Sequence, residues 1–209
     1  MKKAIVIVDM LNDFARNDEK YQGKLFVQGS RGIIENIKAI KEVAKKAGVP
    51  VIYANDAHEP DDKEFEKWPE HAVKGTYGAK IIDELVATEK NVVCEKQDLS
   101  VFTNAAFDEY LAKEGIEELI VTGVATDYCV RAIALETKSK YGELIPGAID
   151  RRYNVTVVVD AIAGVDEIVL PDGSSVLKSK GAVAKSLLEM GSAGVKPVYT
   201  SDVLEGKVI

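Results

Sequence analysis

The sequence predicts an α/β fold of three layers: a doubly wound, mainly parallel six-stranded sheet with helices on both faces. Three observations carry that expectation. Six short β-branched runs recur along the 209 residues, each a near-continuous apolar stretch rather than an alternating one, which marks strands buried on both faces. Between them lie stretches with apolar residues every three or four positions, the period of a helix with one buried side. Runs and helical stretches alternate along the chain, and alternating βα units build parallel sheets through right-handed crossovers.

The first strand is AIVIVDM (4–10). MKK ahead of it gives the look of a leader peptide, but the apolar run is short and no small-residue cleavage site follows, so a buried strand is expected. IIENIKAIKEVAKKAG (33–48) reads as a helix with a glycine stop, and VPVIYAND (49–56) as the second strand. AKIIDELVATEK (79–90) reads as a helix, NVVCEK (91–96) as a strand and NAAFDEYLAKEG (104–115) as a helix. Strand ELIVTGV (118–124), helix YCVRAIALETKSK (128–140) and strand VTVVVDA (155–161) follow, then helix KGAVAKSLLEMG (180–191) and strand KPVYTSD (196–202). Three excursions interrupt the alternation, at 58–78, 141–154 and 166–181, the last with a turn expected at PDGS. With no low-complexity linker and no internal repeat, residues 1–209 are read as a single domain.

Composition narrows the function. Hydrophobic residues make up 46% of the chain, enough for a real core. The net charge of -7, with no basic patch, argues against nucleic acid. No apolar segment approaches the roughly 18 residues that span a membrane. Two cysteines make no disulfide framework, so a reducing, cytoplasmic setting is the default. The sequence has no G-x-S-x-G elbow, no G-x-x-x-x-G-K-[ST] and no G-x-G-x-x-G after the first strand, which removes support for serine-hydrolase, P-loop and dinucleotide chemistries.

In open α/β sheets, ligands bind outside the carboxyl ends of the strands, so the residues at those ends are the candidates. Strand one ends at Asp9, strand two in NDAH with Asp56 and His58, strand three at Glu95 and Lys96, and strand four in GVATDYC with Cys129. Cys129 falls in the first turn of a helix. It is either a small buried apolar side chain or a nucleophile, acidified by the helix N-terminus, whose neighbouring N–H groups hold an oxyanion. Cys94, inside a strand, reads as core. Asp9 is either a solvated strand-end carboxylate or a partly desolvated general base for the thiol. Lys96 alone would be surface, and only the company of Asp9 and Cys129 makes it the cation that tunes the acid. Asp56-x-His58 is followed by Glu64 and His71, and both histidines of the chain fall in this 14-residue window. Carboxylate with imidazole suits zinc, iron or manganese; the other reading is a charged solvated loop with two incidental histidines.

VDMLNDF around Asp9, NDAHEPDDKEFEKWPEHAVKGT, CEKQDLSVF around Lys96 and GVATDYCVRA around Cys129 stand in one order. In that order, over about residues 4–164, the chain resembles the isochorismatase-like cysteine hydrolases, and within them the nicotinamidases (pyrazinamidases). The resemblance implies sheet order 3-2-1-4-5-6, a triad of Asp9, Lys96 and Cys129, a cis peptide between Val124 and Ala125, and an oxyanion hole from the Ala125 and Cys129 N–H groups. It implies one divalent metal ion, zinc before iron or manganese, held by Asp56, His58, His71 and Glu64 and clamping a pyridine nitrogen. Phe14 and Trp68 fall where family aromatics flank the ring, and Tyr128 is expected to line the pocket. After Lys96 the chain departs from the family with Asp98 and Leu99 while keeping Ser100 and Phe102. The segments 141–154 and 166–181 look lengthened, which hints at subunit contacts in a homo-oligomer.

The expected activity is hydrolysis of nicotinamide to nicotinate and ammonia through a thioester. Its alternatives are a ureido or carbamoyl amidohydrolase of the same family and a catalytically silent relative that binds a pyridine. A hydrolase whose metal itself activates water is a further rival.

Overall fold

The computed structural model describes residues 1–135, 153–165 and 181–209, together with the backbone of 167–169 and 175–178. The main sheet is formed by β1 (Lys2–Val8), β2 (Val51–Asp56), β3 (Val92–Lys96), β4 (Ile116–Val124), β5 (Asn154–Ala163) and, after the short strands β6 (Glu167–Val169) and β7 (Ser175–Lys178), β8 (Lys196–Val198). Its order is β3-β2-β1-β4-β5-β8 with every neighbour parallel. Counting only these six strands, this is the expected 3-2-1-4-5-6.

The helices are α1 (Asn12–Ala15), α2 (Ile34–Ala47), α3 (Ala105–Glu114), α4 (Cys129–Ala134), α5 (Ala182–Ser192) and α6 (Thr200–Leu204). The two faces of the sheet build two cores. Ile5, Ile7 and Tyr53 join Ile37 and Ile40 of α2 on one side. Ala4, Val6, Val8 and Ile52 join Phe107 and Leu111 of α3 on the other. Both faces of β1 are therefore apolar, the cause of its unbroken AIVIV run. Burying an Ile, Leu or Phe side chain contributes about 1.5–3 kcal/mol relative to exposing it. α2 buries residues 34, 37, 40 and 44, one face at helical spacing, and ends at Gly48 with φ 69°. At the start of α3, Asn104 caps the helix by accepting from Ala106 N at 3.0 Å.

Three expectations change. The 79–90 stretch is not an α-helix; only a 3-10 turn at Asp83–Leu85 forms. Its backbone pairs elsewhere: Ile82 N donates to Met10 O at 3.0 Å, and Leu85 O accepts from the Tyr53 hydroxyl at 2.6 Å. Tertiary partners here outweigh a helical period. The sixth strand ends at Val198, because Asp202 accepts from Tyr199 N and Asp160 from Thr200 N, starting α6. β6 and β7 form a separate antiparallel pair that the sequence reading did not foresee. The PDGS turn, the helix beyond Leu135, residues 141–152, and half of the segment 166–181 lie outside the described residues. Among the described residues no helix is long and apolar enough to cross a membrane.

Candidate active site

β1 and β4 lie side by side, yet β1 has β2 on its other flank and β4 has β5. Such a switch point opens a crevice at the carboxyl ends of the strands. Gly123, with φ 102°, lets β4 close on β1, since a Cβ there would stand 2.1 Å from Val8 O. Asp9 leaves β1 at φ 48°, in the left-handed region that non-glycine residues rarely adopt. It is held there by both ends: its N–H donates to Ala54 O at 3.0 Å, and its Oδ1 accepts from Asp56 N at 2.7 Å.

Lys96 comes from the end of β3 and is buried at the centre of the group. Its Nζ stands 2.9 Å from Asp9 Oδ2 and 3.4 Å from Cys129 Sγ, and it also pairs with Asp56 Oδ1. Burial pushes Asp9 up to about 6; Asp56 adds to this and Lys96 opposes it. Burial works against the ammonium of Lys96, but Asp56 and Asp9 hold its pKa well above the ordinary value. Burial likewise raises the Cys129 thiol, with Lys96 opposing and both carboxylates adding. The acidified thiol expected from its helical position is therefore not what the surroundings produce. One ammonium cannot balance two carboxylates and a thiolate in a desolvated crevice, so the surroundings favour the protonated thiol.

The Val124–Ala125 peptide is cis, as expected. The Ala125 carbonyl accepts from Tyr128 N at 3.0 Å and Val130 N at 3.1 Å. Among the described residues no backbone acceptor engages the N–H of Ala125 or of Cys129, and both residues line the same cavity.

The second group lies against the first. Asp56, His58 and His71, all buried, offer ligand atoms within 4.8 Å of one another. Each imidazole is turned by its other nitrogen: His58 Nδ1 meets Asp62 Oδ2 at 2.9 Å, and His71 Nδ1 meets Pro69 O at 2.6 Å. Outer contacts of this kind orient metal-binding imidazoles. His58 Nε2 is buried with no hydrogen-bond partner and stands 3.8 Å from Asp56 Oδ2. An orphaned ring nitrogen facing a carboxylate and a second imidazole fits a divalent cation bound by nitrogen and oxygen. Glu64 sits beside this trio rather than within it, its Oε1 3.8 Å from His71 Nε2. The proton affinities differ along the group. Burial alone would lower His58, yet Asp56 and Asp62 lift it to about 9; burial and Asp56 raise Glu64 to about 7. His71 runs the other way, lowered by burial and by His58, as a neutral imidazole ready to bind a cation would be.

One cavity touches both groups. Asp9 and Cys129 line it on one side, and Asp56, Glu64 and His71 on the other. Phe14, Trp68 and Tyr128 are among its walls, with Trp68 and Tyr128 edge to face at 5.6 Å. Sequence reasoning missed Leu25, Val27 and Val165, which also line it, because single apolar residues in irregular segments have no period to mark them. Leu99, noted as a departure from the family, is another wall. Asp62 was missed as well: charge in an acidic loop gave no sign that it orients His58.

The Isochorismatase domain family matches residues 3–168. The chain belongs to the isochorismatase family. Among relatives, a probable inactive nicotinamidase of Arabidopsis thaliana is 28% identical over 170 residues, covering 77% of this chain and 80% of that protein. The ureidoacrylate amidohydrolase RutB of Agrobacterium fabrum is 30% identical over 151 residues, 62% of this chain and 66% of that protein. Among isochorismatase-like structures, the pyrazinamidase of Pyrococcus horikoshii in complex with zinc superposes with a TM-score of 0.72 at 27% identity, covering 95% of this chain and 99% of that one.

Proposed function

We propose that this isochorismatase-family protein is an amidohydrolase that converts nicotinamide to nicotinate and ammonia by way of a thioester on Cys129. The observation that carries the proposal is the shared cavity, lined at once by the thiol with its acid and by the imidazole–carboxylate trio. Among the described residues its walls are aromatic and aliphatic, and its charged lining residues are Asp9, Asp56 and Glu64, all acids. Such a lining suits an uncharged heteroaromatic amide. It disfavours substrates that carry a carboxylate, for which an arginine or lysine in the wall is the usual partner, and this weighs against the ureidoacrylate reading that the RutB relatives suggest.

The chemistry follows from the contacts. Asp9 takes the proton of Cys129 as sulfur bonds to the carboxamide carbon, and Lys96 stabilises the negative charge while it moves between them. The Ala125 and Cys129 N–H groups receive the oxyanion; one such donor is worth about 10²–10³ in rate. The C–N bond breaks, the proton on Asp9 leaves with ammonia, and a thioester remains. Asp9 then draws a proton from water as its oxygen attacks the thioester, releasing nicotinate and restoring the thiol. Phe14 and Trp68 hold the ring. Asp56, His58 and His71, with Glu64 beside them, would hold a divalent ion, zinc for preference. That ion would supply positive charge and a Lewis-acid contact for the ring nitrogen.

Ammonia release from nicotinamide, pyrazinamide, carbamoyl and ureido substrates, with and without a chelator, tests the assignment. Chelator-sensitive turnover of nicotinamide is expected. Preference for ureido or carbamoyl compounds, indifferent to the chelator, would overturn it in favour of those substrates. Pyridine binding without turnover would instead identify a silent relative.

A further inference from the structure

A buried acid outside the triad and the metal trio links two parts of the site. Asp13, in α1, is 3% exposed. Its Oδ2 accepts from Ala72 N at 2.8 Å, while Oδ1 accepts from the Tyr21 hydroxyl at 2.6 Å and Lys24 N at 3.1 Å. The fit is close: a Cβ on Gly78 would stand 2.0 Å from Oδ2.

Ala72 is the residue after His71 and takes φ 44°, a left-handed conformation costly for alanine. Its carbonyl accepts from His58 N at 3.0 Å. One residue thus touches both imidazole-bearing segments, and the Asp13 carboxylate holds it in an unfavourable shape. On the other side Asp13 anchors the strap of residues 21–27. Leu25 N donates to Asp13 O at 3.1 Å, and Leu25 and Val27 form one wall of the cavity.

We infer that Asp13 is a positioning residue: its buried carboxylate sets the two imidazoles through Ala72 and the cavity wall through the 21–27 strap, coupling divalent-ion binding to the shape of the substrate pocket. It touches no reacting atom. The inference rests on the metal-binding part of the proposed function.

Zinc titration of the purified protein against a competing chelator tests it, with no need of activity. Asp13→Asn cannot accept at all its present donors, and its zinc affinity should fall by about 10- to 100-fold, the usual effect of losing an outer contact. Tyr21→Phe removes a bond on the strap side alone. It should lower zinc affinity less than Asp13→Asn does, since coupling acts in both directions, and raise the KM for nicotinamide by about 2- to 10-fold, the worth of one hydrogen bond. A wild-type protein that binds no divalent ion removes the metal-binding premise. Wild-type zinc binding matched by Asp13→Asn overturns the role of Asp13 alone. Should Asp13→Asn not fold, amide exchange of the wild-type protein decides: zinc should protect residues 21–27 together with 70–74, and protection confined to 70–74 overturns the coupling.

Discussion

A lysine–carboxylate pair stands at each end of the sheet, and the two pairs differ in what surrounds them. At the amino end Lys3 of β1 faces Glu118 of β4 across the register, Nζ to Oε2 2.8 Å. There every partner is matched: Glu118 Oε1 accepts from the Thr156 hydroxyl at 2.7 Å, and Lys3 Nζ also donates to Val208 O at 2.6 Å. At the carboxyl end Lys96 faces Asp9, Asp56 and the Cys129 sulfur at once, next to an imidazole nitrogen with no partner. Burial and ion pairing alone do not mark a functional site, since structural pairs have both. The distinguishing feature is imbalance: more groups that want positive charge than one ammonium can satisfy, opening on a cavity.

The comparison breaks most visibly at the sulfur. Cys129→Ala should lower ammonia release from nicotinamide by at least about 10³-fold while substrate still binds, as loss of a nucleophile does elsewhere; near-normal turnover would end the covalent mechanism. The lysines come next. Lys96→Met leaves two buried carboxylates facing each other and should cost about 3–5 kcal/mol in urea unfolding. Lys3→Met, at the partly exposed amino-end pair, should cost about 1 kcal/mol or less. Equal costs would erase the distinction between the two ends. The cation site should show a smaller effect: His58→Ala should raise the KM for nicotinamide and abolish zinc-dependent stabilisation, which for the wild type at a hundredfold excess over Kd is about 2.7 kcal/mol. Smallest of all is the other cysteine. Cys94 lies inside β3 in the second core, and burial raises its thiol pKa. Cys94→Ala should leave turnover and its loss on alkylation unchanged, so inactivation that follows Cys94 instead of Cys129 would contradict the assignment of the nucleophile.

Much of this was legible before any coordinates. The unbroken apolar runs identified the six strands of the main sheet, and the acids, the lysine and the thiol at their ends were already the candidates that the fold brings together. The sequence misled where long-range contacts overrule a local period, as at 79–90, where Met10 and Tyr53 take up the backbone. It also misled at Cys129: a helix start suggests an acidic thiol, but burial beside two carboxylates does the reverse. Asp13 was invisible as a positioning residue because its three donors come from residues 21, 24 and 72, which no spacing in the chain connects.

By itself the sequence determined which segments could become strands and helices and which chemical groups would stand at the strand ends, because hydrophobic period and turn position are local properties. Only the tertiary structure decided that Lys96 meets Asp9, Asp56 and Cys129 together, that His58 keeps an unpartnered nitrogen, and that one cavity joins the thiol to the imidazoles. Those outcomes depend on strand order and desolvation, which arise when segments distant in the chain are packed side by side.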